Sequence, residues 1–242
     1  MSKLRALFIT DPLIVILTLV FASISLAASI YDPSKLRQAA VARSWARALL
    51  WISGVKVKVE GLEKISPTGS YVFVSNHLSY MDTPVVLANI PLQFRFLAKR
   101  GLFQIPFLGW HLVRAGHIPV PREDPRAAVK TMNVAAQVIR DAGISVLIFP
   151  EGGRSREGSL GVFKEGAAFI GVRAGVPLVP MCLKGTREIL PFGSGAVCSG
   201  TVIMRIGDPI STRGSSDRDR APLTAELRKR IVVLLEEDSV TV

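Results

Sequence analysis

Three short apolar runs, residues 71–74, 145–149 and 177–183, constrain the architecture more than any other feature of the chain. None carries a charge, and turn-forming residues flank each one, the pattern of strands buried on both faces. Such strands belong to a sheet covered by helices on both sides. The expected fold class is therefore α/β: a mixed, largely parallel central sheet flanked by helices.

Weaker signals fill in the rest. Residues 55–61 alternate Val and Lys as a half-exposed strand does, and residues 94–99 and 201–206 read as further strands. Residues 115–122 read as a strand that carries Arg122 out at its end. A helix is predicted from Pro125, with Asp124 as N-cap, Ala128, Met132, Ala135 and Ile139 at helical spacing, and Gly143 closing it. Another runs from Gly166 to Arg173, and Leu223, Leu227, Ile231 and Leu234 place an amphipathic helix near the end. Residues 101–110 form an apolar knob with turns, suited to core packing or to lining a groove for a lipid chain.

In open α/β sheets, sites form at the carboxyl ends of the strands. Residues 71–74 empty into Asn76-His77-Leu78-Ser79-Tyr80-Met81-Asp82. Ser79 and Asp82 have the spacing of a capping box, with a helix over residues 81–90 and Pro84 in its first turn. On a continuous helix, five residues would leave His77 and Asp82 on different faces, so they meet only if the chain bends at the loop-to-helix corner. A carboxylate on one imidazole nitrogen fixes the tautomer and leaves the other free to accept a proton from a hydroxyl. The plain alternative is a helix-capping aspartate beside a satisfied loop histidine. Residues 145–149 empty into Pro150-Glu151-Gly152-Gly153-Arg154-Ser155. Two glycines that expose backbone N–H groups, next to a guanidinium, suit a phosphate; the alternative is a solvated turn.

Residues 12–30 carry no charge, and as a helix they would reach about 28 Å, close to the thickness of a bilayer core. The basic start and Ser25-Leu26-Ala27-Ala28 also imitate a signal peptide. Residues 38–53 read as an amphipathic interfacial helix with Arg43 and Arg47 on one side, joined to the first segment by a turn at Asp32-Pro33-Ser34. Residues 1–54 are thus expected to form a membrane-associated helical hairpin and residues 55–242 the catalytic domain. Of the net charge of +11, residues 1–58 hold eight Lys or Arg against two Asp. A basic bias beside an apolar segment points to an anionic membrane surface rather than to nucleic acid. Cys182 and Cys198, read as buried free thiols, and the three histidines show no metal-ligand spacing, and no nucleophile-elbow, P-loop or dinucleotide pattern is present.

In order along the chain, NHLSYMD, the strand from Gly116 to Arg122, Phe149-Pro150-Glu151-Gly152-Gly153-Arg154-Ser155 and Leu178-Val179-Pro180 resemble the four blocks of the glycerolipid acyltransferase family. Lys99 with Pro106 and Gly109, and Phe163-Lys164 with Gly166, match its intervening signatures. Gly153 stands where the family commonly has Thr, so a hydroxyl is missing there. The resemblance implies transfer of a fatty acyl group from acyl-CoA or acyl-carrier protein to a lysophospholipid hydroxyl, giving phosphatidic acid if the acceptor is 1-acyl-glycerol-3-phosphate. No metal, cofactor or acyl-enzyme is implied. It makes His77 the general base and Asp82 its orienting group, with Asn76, Lys99, Arg122, Glu151, Gly152, Gly153 and Arg154 binding substrate. A cytosolic thioester donor places the enzyme on the cytoplasmic face of a membrane, the inner membrane in a bacterium. Another lysolipid acceptor, or hydrolysis at a membrane surface, remains the alternative.

Overall fold

The computed structural model describes residues 6–121 and 123–237. Its seven strands are β1 (Val55–Glu60), β2 (Val72–Ser75), β3 (Phe94–Lys99), β4 (Ile118–Val120), β5 (Ser145–Ile148), β6 (Leu178–Lys184) and β7 (Gly200–Ile206). They lie in the order β1-β7-β6-β2-β5-β3-β4, and every pairing is parallel except β6 with β7. The predicted mixed, largely parallel sheet is what forms. Its centre is made by the three apolar runs, because only uncharged strands can be covered on both faces.

Alternation along those strands divides the interior in two. Phe73, Leu147, Val179, Met181 and Leu183 face one core, with side chains of helices α2 (Leu36–Ile52) and α3 (Asp82–Asn89). Val72, Val74, Val146, Ile148, Leu178 and Cys182 face the other, under α5 (Pro125–Ala142), α6 (Gly166–Ala174) and α8 (Arg220–Glu236). Asp124 caps α5 as expected: its carboxylate accepts the N–H groups of Arg126 and Ala127 at 2.9 and 3.1 Å, and Gly143 closes the helix at φ 64°. Short helices α4 (Leu108–Arg114) and α7 (Thr186–Ile189) complete the set.

The N-terminal helices fold back on each other: α1 (Asp11–Ser29), preceded by a π-helical turn Ala6–Thr10, and α2. Asp32 makes the turn by accepting from Ser34 Oγ, Arg37 N and Gln38 N at 2.5, 2.6 and 3.4 Å, so it caps α2 from outside the helix. α2 is built into the domain, because Ala46, Leu49 and Leu50 are buried in the same core as the sheet. Arg43 and Arg47 therefore differ. The Arg43 guanidinium donates to the carbonyls of Ile90, Pro91 and Leu92, closing the end of α3, whereas Arg47 is exposed. α1 turns Thr18, Ser25 and Ser29 inward to Trp45, His111 and Arg114, and leaves Leu13, Ile16, Leu19, Val20 and Ile24 exposed.

Three expectations need revision. Residues 101–110 are a 3-10 turn, Arg100–Gln104, leading into α4 rather than a knob of turns. Gly109 is there for close approach, since a Cβ on it would collide with the Phe103 carbonyl. The strand predicted over residues 115–122 shrinks to β4, because Ala115 ends α4 and Gly116 is left-handed at φ 76°; Arg122 itself lies outside the described residues. Cys198 is half-buried; only Cys182 is buried, and burial pushes its thiol up to about 11.

His117 is held in this interior as a neutral acceptor for the Phe96 N–H at 3.0 Å, and burial, helped by the positive charges of His111, Arg95 and Lys35, lowers it from 6.5 to about 3. An unfolded His117 binds a proton below pH 6.5 that the native one refuses, so native stability falls with pH between about 6.5 and 3. Between pH 7 and pH 5 the expected loss from this group is about 2 kcal/mol. Urea melts of wild type and His117→Gln across that range check it: the variant should show a flatter slope.

Candidate active site

The parallel pairing of β2 with β5 brings their carboxyl ends side by side, with Val74 opposite Ile148. The loops that follow are stitched together. His77 N–H donates to Glu151 Oε1 at 2.7 Å, Glu151 Oε2 accepts from Gly161 N at 3.0 Å, and Ser155 N–H donates to the His77 carbonyl at 3.0 Å. Burial raises the Glu151 carboxyl above its ordinary value, opposed by the hydrogen bonds from Gly161 and His77. Glu151 thus braces two loops with both of its oxygens.

His77 and Asp82 meet at the corner. Nδ1 and Oδ2 are 2.7 Å apart, and the same oxygen accepts the N–H groups of Leu78 and Ser79 at 2.8 and 2.9 Å. Asp82 is fully buried and opens α3. An oxygen that already accepts two backbone N–H groups acts as an acceptor towards the ring, so Nδ1 carries the proton and Nε2 keeps its lone pair. The imidazole also lies flat on Phe149, with centroids 4.0 Å apart and planes 14° from parallel, and 14% of its side chain remains exposed. Only half of the expected capping box forms. Asp82 reaches back to Ser79 N, but Ser79 Oγ accepts from Met81 N and donates to Leu190 O at 2.8 Å.

The other candidates divide by what they touch. Gly152, at φ 75°, needs the left-handed region, and Lys164 crosses over it, 3.1 Å from where a Cβ would stand. Gly153 and Arg154 follow in the same half-buried loop. The Arg154 guanidinium sits 3.5 Å above the Tyr80 ring centroid and 4.6 Å from that of Phe192, cation–π contacts with both rings. Lys99 ends β3 exposed, on the same edge of the sheet as His77 and Glu151. Asn76 departs from its expected place at the substrate. It is 1% exposed, and its amide donates to Leu183 O at 2.9 Å and accepts from Leu183 N at 2.8 Å, which extends the β2–β6 ladder by a side chain. Phe149, Tyr80, Phe192 and Lys164 entered no sequence-based list of site residues. Tyr80 and Phe149 lie inside the two motifs, but Phe192 arrives from a loop with no pattern of its own.

An apolar cavity of about 350 Å³ lies between α1, α2 and α4, lined among others by Ile14, Leu19, Trp45, Ile105, Phe107 and Thr83, the neighbour of Asp82. The expected alternative use of residues 101–110, lining a groove, corresponds to this wall.

The acyltransferase family profile matches residues 56–184, more than half of the chain, including the loops that carry His77, Asp82, Glu151 and Arg154. The chain belongs to the acyltransferase family. It is 31% identical over 198 residues to the 1-acyl-sn-glycerol-3-phosphate acyltransferase of Borreliella burgdorferi, covering 80% of this chain and 77% of that one. It is 38% identical over 172 residues to a chloroplast 1-acyl-sn-glycerol-3-phosphate acyltransferase of Arabidopsis thaliana, covering 70% of this chain and 48% of the relative. The chain thus spans about half the length of such plant relatives. The crystal structure of the 1-acyl-sn-glycerophosphate acyltransferase PlsC from Thermotoga maritima shares the fold, with TM-score 0.80 and 24% identity over 99% of this chain and all of that one.

The contacts of Asn76 predict a structural phenotype. Asn76→Ala leaves the Leu183 N–H and C=O unpaired in the interior, at a cost of about 1–3 kcal/mol each. Equilibrium unfolding should show the loss, while KM for the lipid acceptor in the protein that remains folded stays near wild type.

Proposed function

We propose that the protein moves a fatty acyl group from acyl-CoA or acyl-carrier protein to the free hydroxyl of 1-acyl-glycerol-3-phosphate, giving phosphatidic acid and a free thiol. The observation that carries this reading is the 2.7 Å contact between His77 Nδ1 and Asp82 Oδ2, which leaves Nε2 to act as the base. Nε2 takes the acceptor's hydroxyl proton as its oxygen attacks the thioester carbonyl. The oxyanion then collapses, the C–S bond breaks, and the departing thiolate takes the proton from the imidazolium. Asp82 stabilises that imidazolium without itself being protonated.

Arg154 suits the acceptor phosphate because its guanidinium, a planar fork of donors, is held beside Tyr80 and Phe192 in the loop after β5. Lys164 over Gly152, and Lys99, would add charge at the same edge, and positioning of this kind supplies much of the rate. The apolar cavity beside Thr83 suits an acyl chain. The exposed apolar face of α1 would lie in the membrane from the cytoplasmic side, where thioester donors are found, as a one-leaflet hairpin because α2 is packed into the domain. No cofactor is invoked.

Purified protein given a thioester donor and a panel of lysolipids should form acylated product, fastest with 1-acyl-glycerol-3-phosphate; release of free fatty acid without an acceptor would instead mark a hydrolase. Asp82→Asn should lower kcat by about 10⁴-fold, because the amide no longer enforces the tautomer. Arg154→Ala should weaken use of phosphate-bearing acceptors by about 2–5 kcal/mol and leave acceptors without a phosphate little changed, a split read from kcat/KM on the two kinds of acceptor. Ile16→Glu with Val20→Glu on the exposed face of α1 should reduce flotation with vesicles while transfer to dispersed short-chain substrate persists.

A further inference from the structure

The turn of the N-terminal hairpin gathers cations that have no ion-pair partner among the described residues. Lys35 stands just before α2, at φ 59° in the left-handed region, and Arg95 is the second residue of β3. Arg95 is four residues, or about 13 Å of strand, from Lys99 at the catalytic edge. It is only 4% exposed, yet among the described residues neither its guanidinium nor the Lys35 ammonium has an ion pair or hydrogen-bond partner. Both converge on Gly116, where a Cβ would stand 2.6 Å from Lys35 Nζ and 3.2 Å from Arg95 Nε, so the two cationic nitrogens lie within about 6 Å of each other.

The surroundings do not relieve the repulsion. Burial lowers Lys35 and Arg95 from their ordinary values, and the Arg95 charge lowers Lys35 further. The charges acting on neighbouring His117 are all positive. Asp32, in the same turn, is occupied by Ser34 and the N–H groups of Arg37 and Gln38, and Asp141 lies exposed on the rim. Gln38 is 1% exposed, with a buried Nε2 donor that has no hydrogen-bond partner among the described residues. An open cleft of about 690 Å³, between Pro33 and Ser34 on one side and Gln137 and Val138 on the other, leads from solvent to Lys35 and Arg95. Behind it a space of about 20 Å³, lined by Gln38, Arg95 and His117, has room for one water.

We propose that this cleft binds a phosphate-class dianion, inorganic phosphate or the phosphomonoester head group of a lipid, with Lys35 and Arg95 as its counterions. Two converging charges, one of them a guanidinium fork, match a phosphate dianion better than a monovalent ion. The ligand would bridge three segments, the hairpin turn, β3 and the loop after α4, and so fasten the hairpin to the sheet. It is separate from the acceptor phosphate proposed at the opposite edge, and does not depend on that reading.

The test is the melting temperature of the full-length chain in neutral detergent, titrated with inorganic phosphate at constant ionic strength. To silence the catalytic edge, it is run in an Arg154→Ala background. A saturable rise is expected there, with a midpoint at least tenfold weaker once Lys35→Gly or Arg95→Gln is added. Lys35→Gly keeps the left-handed backbone, so it reports even if Arg95→Gln fails to fold. Flotation with phosphatidylcholine vesicles, with and without a phosphomonoester lipid, separates the sources. A lipid-dependent gain that is lost in Lys35→Gly and reduced by competing free phosphate marks the head group, and no gain, or a gain unaffected by Lys35→Gly, marks free phosphate. A melting temperature that follows ionic strength alone, or an unchanged phosphate midpoint in Lys35→Gly, overturns the proposal.

Discussion

One carboxylate oxygen, Oδ2 of Asp82, accepts three hydrogen bonds at once, from Leu78 N, Ser79 N and His77 Nδ1. A fully buried carboxylate is costly unless it is hydrogen-bonded, so the loop has to wrap around this one. That wrapping bends the chain between His77 and Asp82, starts α3, and orients the imidazole. Local folding and the chemistry proposed for the site depend on the same atom. Asp82 Oδ1 is buried with no partner among the described residues, which leaves Oδ2 as the oxygen that organises the corner.

The sheet supplies what this corner cannot. Because β2 and β5 are parallel neighbours, the loops leaving them emerge on one edge, where Glu151 accepts the His77 N–H and Ser155 donates to the His77 carbonyl. Phe149, the residue after β5, becomes the floor under the ring. Asn76 ties the start of the same loop to Leu183 on β6. His77 is therefore held from three strands, which limits the motion available to a base that must keep its lone pair on a substrate.

What was legible in the sequence is what local pattern encodes. The three uncharged runs foretold the central strands, the Asp124 and Gly143 signals bounded α5, and the five-residue spacing of His77 and Asp82 foretold a bend at the corner. Contacts between distant segments left no such trace. Asn76, which the resemblance gives to the substrate, turns instead to Leu183 once β6 lies beside it; Phe192 reaches Arg154 from a loop without periodicity; Arg43, grouped with Arg47 on one side of an interfacial helix, caps α3 because that helix ends next to α2. α4 was missed because Pro106 and Gly109 look like helix breakers, whereas Gly109 is there to let the Phe103 carbonyl approach.

The central claim is that His77 Nε2 removes the acceptor's proton. The most direct measurement is single-turnover acyl transfer by purified His77→Ala protein, with a thioester donor and 1-acyl-glycerol-3-phosphate, beside a thermal melt of the same sample. Because the imidazole supplies the base while backbone N–H groups still hold Asp82, a folded variant with transfer lowered by at least several powers of ten is expected. Folded His77→Ala protein that transfers at close to the wild-type rate would contradict the account.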